Sequence, residues 1–111
     1  MVIKVYVSSV SGSMELTSRK KSVERTLEMA KINFNTIDIS QDANAEEYKF
    51  MLEHATQMGA TSMCPNPKVP LPPQIFNEDV YCGDYNAFDA AVELGELKSF
   101  LKLDKDENNE S

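Results

Sequence analysis

The chain has 111 residues, 41% of them apolar and 26% charged, enough for one domain with a proper but modest core. Its acidic residues outnumber the basic ones 18 to 11, for a net charge of −7. That charge sets it against nucleic acid and anionic membranes as partners, and no run of about 18 apolar residues is present to span a bilayer.

Val2 to Val7 reads as a strand, apolar except at Lys4, which suits a strand buried on both faces. The same segment is too short for a signal peptide. Val2 also breaks the N-myristoylation pattern. The expected compartment is the cytoplasm, with the nucleus as a further one. Ser8 to Ser13 forms a small polar turn, and Ser13 is placed to cap a helix whose first turn holds Glu15. That helix is expected over Met14 to Lys31, with Leu16, Val23, Leu27 and Ala30 on its apolar stripe. Arg19, Lys20, Lys21 and Arg25 then form a solvated face.

Phe34 to Ile39 reads as a second strand, so strand, helix and strand make a right-handed parallel unit. Asn44 followed by Glu47 resembles a capping box. Tyr48, Met51, Leu52 and Ala55 give the second helix its stripe, with His54 beside it as an ordinary helix residue. Thr56 to Pro72 shows no regular pattern, and a loop of that length in a small domain points to function or mobility. Gln74 to Phe76 and Val80 to Cys82 read as short strands joined by a hairpin at Asn77-Glu78-Asp79. Asp84 is placed to cap a helix carrying Phe88, Ala91 and Val92, and Gly95 to end or kink it. Leu97, Phe100, Leu101 and Leu103 pack the final turns. The domain is expected over 1–103. The eight residues from Asp104 hold four acids and one lysine, a composition expected to be disordered.

The stretch Pro70-Leu71-Pro72-Pro73-Gln74-Ile75-Phe76-Asn77 supports two readings. As a linear motif, Pro70 and Pro73 form the PxxP pattern of SH3 ligands. Pro67 and Pro70 form a second copy, and Pro72, Pro73 and Phe76 form the PPxxF pattern of EVH1 ligands. As a fold element, the prolines mark a turn entering a core strand, since proline belongs at a strand's first residue. Pro72–Pro73 is then a candidate cis bond. The second reading carries more weight, because Pro73 and Phe76 are core positions in it. Pro67 and Pro70 are then the freer residues.

Cys64 and Cys82 are eighteen positions apart, which fits neither a CxxC pair nor a zinc site. In a reducing compartment they are free thiols. With His54 the only histidine, no multi-histidine metal site is expected.

The element order β-α-β-α-β-β-α, with proline ending the middle loop, is that of the α/β thioredoxin-like fold. It predicts a four-stranded mixed sheet flanked by helices. Residues 2 to 101 resemble a glutaredoxin in layout, from the proline-led Gln74-Ile75-Phe76 strand through the Gly83-Asp84 turn to Gly95-Glu96-Leu97. A glutaredoxin needs a cysteine at the start of its first helix, where the helix dipole stabilises the thiolate. This chain has Ser11-Gly12-Ser13 there.

Met1 to Val7, the Ser-Gly-Ser turn, Pro70 to Asn77 and Tyr81-Cys82-Gly83-Asp84-Tyr85 together resemble the SH3-domain-binding glutamic-acid-rich-like protein family. The resemblance implies a glutaredoxin-like protein without redox cysteines or cofactor, acting as an adaptor or regulator. Its tail resembles that of the short members. The expected function is therefore non-enzymatic binding of protein partners, SH3- or EVH1-domain proteins among them. The binding elements would be the proline segment (Pro67, Pro70, Leu71, Pro72, Pro73, Phe76) and a cleft bordered by Ser9, Ser11, Gly12, Pro73, Gly83 and Asp84. The protein is expected to be a monomer. The alternatives are weak glutathione binding in that cleft, or thiol chemistry at Cys64 or Cys82.

Overall fold

The computed structural model describes residues 2–10 and 13–103. Strand β1 (Ile3–Val7) is followed by α1 (Met14–Met29), β2 (Phe34–Asp38) and α2 (Ala45–His54). Strands β3 (Gln74–Asn77) and β4 (Val80–Asp84) then precede α3 (Tyr85–Glu93) and the short α4 (Leu97–Phe100). The sheet order is β2-β1-β3-β4. β1 runs parallel to β2 and antiparallel to β3, and β4 runs antiparallel to β3. This is a thioredoxin-like α/β fold with a four-stranded mixed sheet. Among the described residues no helix is long and apolar enough to cross a membrane.

The two-residue period of β1 divides the core. Ile3, Val5 and Val7 pack on one face with Val23 and Leu27 of α1, Phe88 of α3 and Leu101. Tyr6 points the other way, into a cluster with Met51 and Ala55 of the α2 segment and Phe76 of β3. Each of the buried Val, Leu, Ile, Phe and Met side chains here is worth about 1.5–3 kcal/mol relative to exposure. Tyr6 and Phe76 also meet edge to face at 5.1 Å. His54 lies outside this core, exposed and stacked on Phe50 at 4.2 Å.

The helix ends show where local chemistry departs from the sequence-based expectation. Ser13 caps α1 as expected, its hydroxyl accepting from the Leu16 N–H at 3.2 Å. The helix stops at Met29 rather than Lys31, because Lys31 adopts a left-handed φ of 61°. The Ile32 N–H then reaches back to the Leu27 carbonyl at 3.0 Å, which closes the helix by satisfying a terminal acceptor. Ala30, expected on the apolar stripe, is exposed. Asn44 does not cap α2. A 3₁₀ turn over Asp42–Asn44 leads into that helix, so Asn44 lacks the extended backbone a cap requires. Its side chain instead donates to the Asp38 carbonyl at 3.0 Å, while Glu47 accepts from the Tyr6 hydroxyl at 3.2 Å. Asp84 caps α3 as expected, accepting from the Ala87 N–H at 2.9 Å. Gly95 closes that helix.

Candidate functional site

The strand directions gather the C-terminal ends of β1, β2 and β4, the start of β3 and the starts of α1 and α3 at one end of the sheet. The long connection from Thr56 to Pro72 folds over this end. It contains no helix or strand, yet its base is held by a dense polar network. Gln74 is fully buried and donates from Nε2 to the carbonyls of Gln57 at 3.0 Å and Leu71 at 2.9 Å. Its Oε1 accepts from the Tyr81 hydroxyl at 2.6 Å. The Gln57 side chain accepts from the Asp84 N–H at 2.9 Å. One Asp84 carboxylate oxygen accepts from Gly59 N–H at 2.9 Å, and the other caps α3. Buried polar groups are costly unless bonded. Here they bond one another, and in doing so they fix the loop to the sheet.

Two glycines make this closeness achievable. A Cβ on Gly59, whose φ is +64°, would lie 2.8 Å from the Leu71 carbonyl oxygen. A Cβ on Gly83 would lie 2.8 Å from the Phe100 ring and 2.9 Å from Gln57 Oε1. Arg19 fastens the loop from the opposite side. It pairs with Glu15 at 3.0 Å, lies over the Tyr85 ring at 4.8 Å and donates to the Gly59 carbonyl at 3.4 Å. Arg19 is therefore half-buried structure, not part of a solvated basic face. Its planar guanidinium suits this triple contact.

The expected site residues divide into three groups. Pro73, Gly83 and Asp84 do come together, because Gln74 pairs with Asp84 and Ile75 with Gly83 across the β3–β4 ladder. All three are buried. The Pro72–Pro73 bond is cis. Ser9, at the end of β1, is exposed and turned toward β2. Its N–H donates to Asp38 at 3.2 Å, and its hydroxyl lies 3.1 Å from that of Ser40. Hydrogen bonds from Ser40 and then Ser9 hold the Asp38 carboxyl well below the usual range. Ser11 and Gly12 lie outside the described residues.

The proline motif needs correction. Pro70 is buried, not one of the freer residues, and Phe76 is fully buried. Pro67, Leu71 and Pro72 are half-buried. The Leu71 N–H is also committed, to the Met58 carbonyl at 2.9 Å. A PxxP or PPxxF ligand must present its prolines and its aromatic side chain, and this stretch turns its defining residues inward. The exposed part of the loop is its crest, where Met63 is 87% and Val69 45% accessible and Pro65 and Lys68 face solvent.

Neither thiol is placed at the start of α1. Cys82 is half-buried on β4, and burial pushes its thiol up to about 11, a value the nearby Lys102 charge lowers only in part. A thiol so shifted is a poor nucleophile near neutral pH. Cys64 sits in the loop, its N–H bonded to the Thr61 hydroxyl at 2.9 Å. Among the described residues, no group of three or more His, Cys, Asp or Glu side chains is placed to hold a metal ion.

The anchoring roles of Gln57, Gln74, Tyr81 and Arg19 escaped the sequence reading. Gln74 carried a signal: a polar residue opening a short strand between Pro73 and Ile75 must find partners if it is buried.

Comparison with known proteins follows the same outline. The model of the SH3-binding, glutamic acid-rich protein family matches residues 1–104. A relative from Drosophila melanogaster, an SH3 domain-binding glutamic acid-rich protein homolog, is 46% identical over 103 residues, or 93% of this chain. The chain spans 65% of that relative's length. A solved structure of the C. albicans actin interacting protein Aip5 superposes with a TM-score of 0.62 at 20% identity, over 90% of this chain and 87% of that one. That likeness concerns the fold alone. The family match and the Drosophila relative together place this chain in the SH3-binding, glutamic acid-rich protein family.

Proposed function

We propose that this chain is a non-enzymatic, monomeric protein-binding module of the cytoplasm that engages SH3-domain proteins through the crest of the Thr56–Pro72 loop. The observation that carries the reading is the contrast within that loop. Its base is tied down by the Gln57, Gln74 and Asp84 network, while Met63, Pro65, Lys68 and Val69 at its crest are exposed. A loop held rigid at its base loses little further entropy on binding, and an exposed methionine adapts readily to a partner's surface. The names of the family and of the Drosophila relative support an SH3 domain as the partner class. The net charge of −7 favours basic partner surfaces and an affinity that falls as salt rises.

Calorimetric titration with a panel of SH3 domains tests this. At least one domain should bind the intact chain, and a Met63→Ser/Lys68→Ala variant should lose at least about fivefold in affinity, roughly 1 kcal/mol. Unchanged affinity in that variant would reject the crest as the contact surface.

A further inference from the structure

The outward face of α1 has no role in the loop or in the core. Two open depressions run along it and share Ser18 and Lys21. The first opens beside Ser9 and Ser13 and runs past Met14 and Thr17, and the second continues past Ser22 to Arg25 and Thr26. From Met14 to Arg25 the track spans about 17 Å at the helical rise, the length of about five extended residues.

Its charge is unusual for this molecule. Arg19 pairs with Glu15 at 3.0 Å, and Lys20 with Glu24 at 3.9 Å. Lys21 and Arg25, one turn apart and both exposed, have no carboxylate within ion-pair distance among the described residues. Like charges at this spacing repel by a few tenths of a kcal/mol, in a chain whose acids outnumber its bases 18 to 11. The other end of the track is apolar, with Met14 88% accessible.

We propose that this face docks a short acidic segment of another protein, with an apolar residue against Met14 and carboxylates against Lys21 and Arg25. Charge complementarity selects the class of partner. A linear segment along the track meets Lys21 and Arg25 before it reaches Glu28, the exposed acid one turn beyond Arg25. A membrane or a nucleic acid would bring extended negative charge against the rest of an acidic surface. Beyond about 8 Å at physiological salt that remaining charge is largely screened, so a narrow ligand feels mainly the local field. The surface is separate from the loop crest and does not depend on SH3 binding.

The test is an NMR titration of the full chain with a synthetic peptide, one leucine followed by glutamates, about five extended residues long. The same peptide with glutamine for glutamate is the control. Shifts should concentrate at Met14, Thr17, Ser18, Lys21, Ser22 and Arg25. Lys21→Glu with Arg25→Glu should weaken binding at least about tenfold, and the milder Lys21→Gln with Arg25→Gln by an intermediate factor. Lys31→Glu, an exposed cation beyond the track, should change nothing. Circular dichroism checks that each variant keeps its helix. The proposal is overturned if the glutamine peptide binds equally or if charge reversal leaves affinity unchanged. It is also overturned if phosphatidylserine vesicles or an oligothymidylate bind more tightly at the same residues. Finally, neutralising Asp104, Asp106, Glu107 and Glu110 together must not move the α1 signals in the absence of peptide. If it does, the chain's own end is the occupant and the proposal fails.

Discussion

Replacing Asp84 by alanine strikes the loop anchor and a helix cap at once. The wild-type carboxylate accepts from Ala87 N–H and from Gly59 N–H, each at 2.9 Å, and the residue is 6% exposed. Loss of an Asp cap costs about 0.5–2 kcal/mol. Loss of the second, charge-assisted bond, which strands a buried N–H, costs about 1.5–3 kcal/mol. Together Asp84→Ala should cost about 3 kcal/mol, a large part of the roughly 5–15 kcal/mol that holds a domain together. Asp84→Asn keeps one acceptor oxygen and should cost about half as much. Urea unfolding measures both, and limited proteolysis of the variant should cut first between Gln57 and Val69, where the loop has lost its tether. A cost below about 1 kcal/mol for Asp84→Ala, or a loop as protease-resistant as in the wild type, would refute the claim that this network holds it.

Four further outcomes follow from the same structure. Gly83→Ala forces a methyl against Phe100 and Gln57 and should destabilise the fold by about 1–3 kcal/mol in denaturant titration. At pH 8.5 a thiol at the ordinary value of 9.0 is about a quarter ionised and Cys82 only about 0.3%, so its alkylation by iodoacetamide, followed by mass spectrometry, should be at least about 50-fold slower than that of a free thiol. Because the folded Cys82 pKa is raised from 9.0 to about 11, its linked stabilisation is full below pH 9 and drains as pH rises through 11. Glutathione should bind more weakly than about 1 mM, since Asp84 and its N–H already have partners in Gly59, Ala87 and Gln57. Saturable NMR shifts at Gly83 and Asp84 at lower concentration would show that the network yields to a ligand.

Periodic burial made most of the fold legible. The near-continuous apolar run at β1 predicted a strand covered on both faces, and Val5 and Tyr6 are indeed fully buried on opposite sides of the sheet. Ser13 and Asp84 were readable as caps because capping depends on one residue and its next three neighbours. Asn44 was misread because a 3₁₀ turn, closed by its own N–H on the Gln41 carbonyl, gives it a non-extended backbone, and its side chain goes back to the Asp38 carbonyl instead. The site was harder to read because its bonds join distant parts of the chain. Nothing local in the sequence of Arg19 says that Gly59 and Tyr85 will meet it, and Pro70 looked free because its burial is imposed by a loop whose path only the fold determines. Long-range polar bonds have no sequence period.

The central claim is that the partner meets the crest of an intact, anchored loop rather than an extended proline motif. The most direct measurement is an NMR titration of the labelled chain with an SH3 domain that binds it, run beside the isolated Pro65–Asn77 peptide. The account predicts that the folded chain binds, with shifts at Met63, Asn66, Lys68 and Val69. The amides of Gln74 to Asn77 should stay fixed. Binding by the peptide alone, or binding by the chain only as the Gln74 to Asn77 signals are lost, would contradict it.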